Sequence, residues 1–151
     1  MVIVAVPSGG NGGLTSILNP RFGRCESFTF VTVEDGEIKQ VKTLPNAASD
    51  AMGGAGIQAA QTLGNNNATV AIVGNLGPNA AQALGSLNIK LYQAPNQQIT
   101  VKDVVQEYID GNLQELSGAN VGSHFGMGGG FGRGRGGAGG GGGGRGRGRN
   151  L

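Results

Sequence analysis

The sequence predicts a mixed α/β sheet of about five strands, opened by a hairpin and covered by helices. Three observations predict it: a continuous apolar run at residues 2–6, a period-two alternation around Phe28 and Phe30 that leads into Asp35-Gly36, and strands alternating with helices from residue 54 onward. The first run, Val-Ile-Val-Ala-Val, ends at Pro7 and has the pattern of a strand covered on both faces. Residues 8–13 form a glycine-rich loop. Residues 27–33 alternate so that Phe28 and Phe30 share one face, and Asp35-Gly36 is a tight turn into a second strand at 37–42. Residues 45–54 are small and polar, as in a loop. A helix follows over about 54–63, with Ile57, Ala60 and Leu63 spaced for one face, and Gly64 with Asn65-Asn66-Asn67 ends it. A buried strand is predicted at 69–73. A helix opened by Pro78 places Ala80, Ala81, Leu84 and Leu87 on its buried stripe, and a short strand follows at 89–92. In the last helix Thr100 and Asp103 form a capping pair, Val101, Val104, Val105, Tyr108 and Ile109 recur at helical spacing, and Gly111 stops it.

Charge divides the 151 residues in two. Residues 1–116 hold six basic side chains (Arg21, Arg24, Lys39, Lys42, Lys90, Lys102) against all nine acids, a balance of 6 − 9 = −3. From Ser117 onward glycine dominates, and the charges are Arg133, Arg135, Arg145, Arg147 and Arg149. The net +2 therefore describes neither part. Residues 1–117 are expected to be one folded domain, and residues 118–151 a disordered Gly/Arg-rich tail, because glycine on this scale does not offset the entropy of ordering. One cysteine makes no internal disulfide, and six apolar residues without a basic leader are too short for a signal peptide or a membrane span. A cytoplasmic location without membrane attachment is the expectation.

The candidate site lies in two segments. Arg21-Phe22-Gly23-Arg24-Cys25 holds the single thiol beside two fixed positive charges, which favours a thiolate, the form that binds soft metals. Met52-Gly53-Gly54-Ala55-Gly56 carries a thioether and opens a helix, where backbone N–H groups and the helix dipole favour an anion. Together they suggest a shallow cradle for something anionic and metal-rich. Arg21 and Arg24 would supply charge, Gly53, Gly54 and Gly56 close backbone approach, and Cys25 or Met52 sulfur. Plainer roles stand beside these. Cys25 could be a small core residue, and the arginines could pair with Glu26 or Asp50. The glycines could serve only a sharp loop, Asn75 and Asn79 could serve turns and capping, and His124 in the tail could be a metal ligand or simply solvated.

The ordered set of segments resembles the dinitrogenase iron–molybdenum cofactor biosynthesis family, which includes small stand-alone archaeal and bacterial members and the orange protein. The matching segments are Arg21-Phe22-Gly23-Arg24, Phe28 with Phe30, Glu34-Asp35-Gly36-Glu37-Ile38, Pro45-Asn46, Gly53-Gly54-Ala55-Gly56-Ile57, Gly77-Pro78-Asn79-Ala80, Asn88-Ile89-Lys90-Leu91-Tyr92 and Gly111-Asn112-Leu113. Asn88 stands where the family more often has glycine. The resemblance implies a three-layer, ribonuclease-H-like α/β/α fold without that enzyme's chemistry. It also implies binding of iron–molybdenum cofactor, its precursors or a related molybdenum-containing iron–sulfur cluster, as a carrier or assembly factor that meets cofactor-assembly or acceptor proteins.

No catalytic centre is legible. Gly54-Ala55-Gly56-Ile57-Gln58-Ala59 fits a loose dinucleotide pattern, yet no strand ends before it and no acid lies about twenty residues on. The acids are scattered, unlike the clustered carboxylates of a two-metal nuclease. A non-enzymatic role is expected. The Arg-Gly repeats of the tail are of the kind that bind RNA through phosphate contacts, with Phe125 and Phe131 as sparse aromatic partners, so an RNA-associated protein is the alternative.

Overall fold

The computed structural model describes residues 1–47 and 54–120, and within them a six-stranded mixed sheet carries helices on both faces. Strands β1 (Val2–Ser8), β2 (Ser27–Glu34) and β3 (Glu37–Pro45) form an antiparallel meander, followed by helix α1 (Ala55–Asn65), β4 (Val70–Val73), α2 (Pro78–Ser86), β5 (Lys90–Gln93), α3 (Val101–Ile109) and β6 (Gln114–Leu116). A 3-10 turn at Phe22–Arg24 precedes β2. The strand order is β3-β2-β1-β4-β5-β6, with β1, β4 and β5 parallel to one another and the remaining pairings antiparallel. This is the expected three-layer α/β/α architecture with one strand more than the expected five.

Alternation along each strand sorts the core into two layers. Phe28, Phe30, Ala5, Ala71, Val73 and Leu91 face α1 and α2, where Ala59, Ala60, Leu63, Ala80 and Leu84 meet them. Val4, Val6, Val31, Val33 and Ile72 face α3 through Val101, Val104 and Val105. Register makes the fit possible: Ala5 lies across from Phe30 on one side and Ala71 on the other, so two small residues at the sheet centre leave room for the rings under α1. Thr100 caps α3 by accepting a bond from Asp103 N at 3.1 Å.

The hairpin turns through Asp35 (φ 54°) and Gly36 (φ 75°), the paired left-handed geometry that suits a two-residue connection. Asn88, at φ 60°, occupies the conformation that explains a glycine preference there and that asparagine tolerates. Two helical stripes are corrected. Ile57 is 39% exposed and Leu87 42%; the buried face of α1 is Ala55, Ala59, Ala60 and Leu63, and that of α2 is Ala80 and Leu84. The two helices meet through Gly56 and Ala80, a contact with no room for a larger side chain at that point. β3 runs on to Pro45, past the expected end at 42, because it pairs with β2 back to Ser27. Among the described residues no helix is long and apolar enough to cross a membrane.

The carboxyl ends of β1, β4 and β5 meet at one edge of the sheet, where β2 also begins: Ser8 lies opposite Ser27. The connection between Ser8 and Ser27 is closed over this edge by a buried hydroxyl cluster. Ser8 Oγ bonds Ser27 Oγ at 2.7 Å and Thr29 Oγ1 at 2.9 Å, and Gly13 N donates to Thr29 Oγ1. In such sheets this is the edge at which ligands gather.

The contact between α1 and α2 is so close that a Cβ on Gly56 would lie 2.9 Å from Ala80 Cβ, a rigid neighbour. Gly56→Ala is therefore expected to destabilise the fold by about 1–3 kcal/mol in urea unfolding, despite alanine's better helix propensity. Equal or greater stability would show that the two helices separate freely.

Candidate functional site at the carboxyl edge of the sheet

The site is built on the turn that carries the two arginines. Arg24 N closes it by bonding Arg21 O at 3.1 Å, and Arg21 N is anchored on Asn19 Oδ1 at 2.9 Å. Arg21 is exposed and Arg24 half-buried, whereas Phe22 between them points inward and stacks at a tilt on Phe28, with ring centroids 5.6 Å apart. The inward ring holds the turn down while the charged residues on either side remain at the surface.

Asn46 fastens the same turn from behind. It is 5% exposed; its Nδ2 donates to Gly23 O at 3.2 Å and to Cys25 O at 2.9 Å, and its N–H to Glu26 O at 3.0 Å. A buried amide that spends its donors on the backbone of another segment acts as a structural tie, and this one joins the end of β3 to the arginine turn.

Two further segments converge here. A Cβ on Gly23 would fall 3.0 Å from Gly56 N and 3.2 Å from the Ala55 carbonyl carbon, so the arginine turn rests directly on the first turn of α1. That helix starts from Gly54 at φ 72°, which a side chain would strain, and its first N–H groups have no acceptor within the helix. On the other side Asn75 N donates to Pro20 O at 2.7 Å, Arg21 and Asn75 form an isolated parallel bridge, and Gly74 packs against Pro20. The arginine turn, the start of α1 and the β4–α2 connection thus form one contiguous surface.

The chain returns to this surface at Asn120. Its Oδ1 accepts from Leu76 N at 2.7 Å, and its Nδ2 donates to Gly74 O and to Gln93 Oε1, each at 2.6 Å. Gln93 in turn donates to the carbonyls of Val73, Gly74 and Ala94. A cavity of about 480 Å³ lies elsewhere, lined by Ile17, Thr100, Asp103, Gln106 and Glu107 among others. Its two carboxylates are unsuited to an anion.

Comparison with known proteins identifies the family and supports the fold. The family model for the dinitrogenase iron–molybdenum cofactor matches residues 1–111. The chain belongs to this family. An uncharacterized protein of Methanocaldococcus jannaschii is 34% identical over 99 residues, which cover 66% of this chain and 82% of that one. The apo form of the orange protein from Desulfovibrio gigas superimposes with a TM-score of 0.72 at 35% identity, covering 80% of this chain and 98% of that one. A Thermotoga protein described as a candidate NifB protein superimposes with a TM-score of 0.65 at 32% identity, covering 78% and 95%.

Within this member of the dinitrogenase cofactor family the expected residues separate into three groups. The turn that carries Arg21 and Arg24 lies against the first turn of α1, where Gly54 and Gly56 sit, with Asn75 bridged to Arg21. Met52, Gly53 and His124 lie outside the described residues, as does Asp50. Phe22 and Cys25 belong to the core. The expected thiolate at Cys25 is corrected. The side chain is fully buried, its Sγ donates to Phe22 O at 3.3 Å, and burial pushes the thiol up to about 12 from an ordinary 9.0, with the Glu26 carboxylate adding to the shift. Desolvation outweighs the bond that Asn46 Nδ2 donates to Sγ at 3.7 Å, which by itself lowers the pKa. Glu26 accepts from Gly10 N at 2.6 Å. Among the described residues no group of three or more His, Cys, Asp or Glu is placed to hold a metal ion. Sequence reasoning missed Asn46, Gln93 and Asn120. The Pro45-Asn46 pair at the end of a strand was the one available signal, since a polar residue there has to find backbone partners.

Cys25 gives a test of this geometry. In the native protein at pH 8 it should resist a disulfide-exchange reagent and react fully only in denaturant. Because its folded pKa lies above the unfolded value, its share of stability is complete below pH 9 and is lost as pH rises toward 12. Cys25→Ala should flatten that alkaline decline in urea titrations. A fast native reaction at pH 8 would return the thiol to the list of ligands.

Proposed function

We propose that this protein binds an iron–molybdenum cofactor, a precursor of it or a related molybdenum-containing metal–sulfide cluster at the carboxyl edge of its sheet, and carries the cluster without transforming it. One observation carries the reading: the turn bearing Arg21 and Arg24 rests on the glycine-bearing first turn of α1. Two guanidinium groups, a helix N-terminus and exposed glycine backbone offer charge and N–H donors over a shallow area. Such a surface suits a large, soft polyanion that has to be released intact. Met52 and Gly53, which directly precede Gly54 in the chain, belong to the same reading, with the thioether as a soft donor. A cofactor-assembly or acceptor protein would be the partner for delivery.

Tetrathiomolybdate, a molybdenum–sulfur dianion with strong visible absorption, is a direct probe. After anaerobic incubation and gel filtration the protein fraction should retain colour and molybdenum. Arg21→Gln and Arg24→Gln together should lower retention by roughly tenfold, consistent with the loss of two charge-assisted contacts, and Met52→Ala should weaken it further. Absence of molybdenum from the wild-type fraction, or full retention by the double variant, would count against the reading.

A further inference from the structure

We infer that Asn120 and Gln93 are positioning residues for the arginine turn: their paired amides fix residues 74–76, and that segment fixes Arg21. The inference rests on the cargo reading above and names two residues that act through Arg21 rather than on the cargo. Asn120 lies past residue 111, where the family match ends. Its place follows from β6. That strand leads away from the carboxyl edge, from Gln114 opposite Gln93 to Leu116 opposite Leu91, and residues 117–119 bring the chain back to the edge at Asn120.

Asn120 meets residues 74–76 as a neighbouring strand would. Its N–H donates to Leu76 O at 2.9 Å, its Oδ1 accepts from Leu76 N at 2.7 Å, and its Nδ2 donates to Gly74 O at 2.6 Å. Gln93 secures the same segment from β5. Its Nε2 donates to the carbonyls of Val73 and Gly74 at 3.3 and 3.0 Å, and its Oε1 accepts from Asn120 Nδ2 at 2.6 Å. A carboxamide offers an acceptor and two donors on one small group, a pattern that neither alanine nor a carboxylate reproduces. The other side of the segment carries the arginine turn, in the alternation of an extended chain. Asn75 N donates to Pro20 O at 2.7 Å, Arg21 and Asn75 form the parallel bridge, and a Cβ on Gly74 would fall 2.8 Å from Pro20 Cα. A shift of residues 74–76 is therefore passed to Pro20 and Arg21 by backbone contact. The Phe22 ring on Phe28 and the Asn46 amide hold the far end of the turn, so loss of the amide pair would move Arg21 without unfolding the turn.

The test uses the full-length chain and two readouts. In hydrogen exchange followed by NMR, Asn120→Ala should speed exchange of the Asn75 N–H by about tenfold and leave the amides of residues 70–72 in β4 unchanged. Gln93→Leu removes the same tie from the side of β5 and should give the same local pattern. Uniform acceleration in both variants, or an unchanged Asn75 N–H in both, would make the pair merely structural and overturn the inference. The second readout is equilibrium dialysis against tetrathiomolybdate without oxygen. Asn120→Ala should weaken binding roughly threefold to tenfold in the chain that has Arg21 and no further in the Arg21→Gln chain, since a residue acting through Arg21 has nothing to position once it is gone. An equal loss in both backgrounds, or wild-type affinity in Asn120→Ala, would overturn the inference while leaving the cargo reading intact. No binding by the wild type would overturn both.

Discussion

The structure depends on a stack of backbone contacts too close for side chains. Gly23 lies on Gly56, and Gly56 lies on Ala80, so the arginine turn, α1 and α2 are locked at separations that only hydrogen and methyl groups permit. Close-packed contacts of this kind resist continuous adjustment, because dispersion is forfeited within half an ångström and overlap costs more. The positions of Arg21 and Arg24 relative to the first turn of α1 are therefore set by the glycines beneath them. Gly74 against Pro20 repeats the device on the other flank. Local flexibility at glycine and precision of packing are not in conflict here: the residue that can adopt any conformation is also the one that lets two segments touch.

Polar ties complete what packing begins. The connection between β1 and β2 would be a long excursion at the sheet edge without the Ser8–Ser27–Thr29 hydroxyl cluster beneath it and the Asn46 amide behind it. Each tie is buried, and each joins segments distant in sequence. Breaking one would leave partners unsatisfied in surroundings of low polarity, at a cost of roughly 1–3 kcal/mol. The edge is consequently a surface of fixed shape on which charge is exposed and the Cys25 sulfur is withdrawn.

Much of the fold was legible because its signals are local. The apolar run of β1, the alternation around Phe28 and Phe30, and the Thr100–Asp103 cap of α3 each announce an element from within it. β6 escaped because three residues, Gln114–Leu116, with mostly exposed side chains, carry no period; it exists by pairing with β5. Ile57 and Leu87 misled for a related reason. Helical spacing marks which residues share a face; here Leu63 and Leu84 anchor the buried faces among alanines, while Ile57 and Leu87 fall at their exposed margins. At the site, the arginines and glycines were legible as residue types. For Cys25 the sequence offered both a thiolate ligand and a small core residue, and the structure has the second, because sequence proximity to positive charge carries no information on which way a side chain points. Asn46, Gln93 and Asn120 act through long-range bonds that no local pattern encodes.

The corrected role of Cys25 bears directly on how a carrier could work. A thiolate at the edge would bind a metal–sulfide cargo covalently and could exchange with its sulfides, so holding it and preserving it would conflict. A thiol pushed up to about 12, buried and donating to Phe22 O, is neither a competing ligand nor a nucleophile near neutral pH. Its sulfur fills the core under the arginine turn, so on the proposed function the hold on the cluster is mainly ionic, with the Met52 thioether as a weak neutral donor. Such attraction is tuned by salt and by competing charges, and it can be surrendered contact by contact to an acceptor that offers better ligands. On the proposed function, withdrawing the Cys25 thiol while keeping the guanidinium groups at the surface leaves only contacts that do not exchange with the cluster's sulfides, which favours its delivery intact.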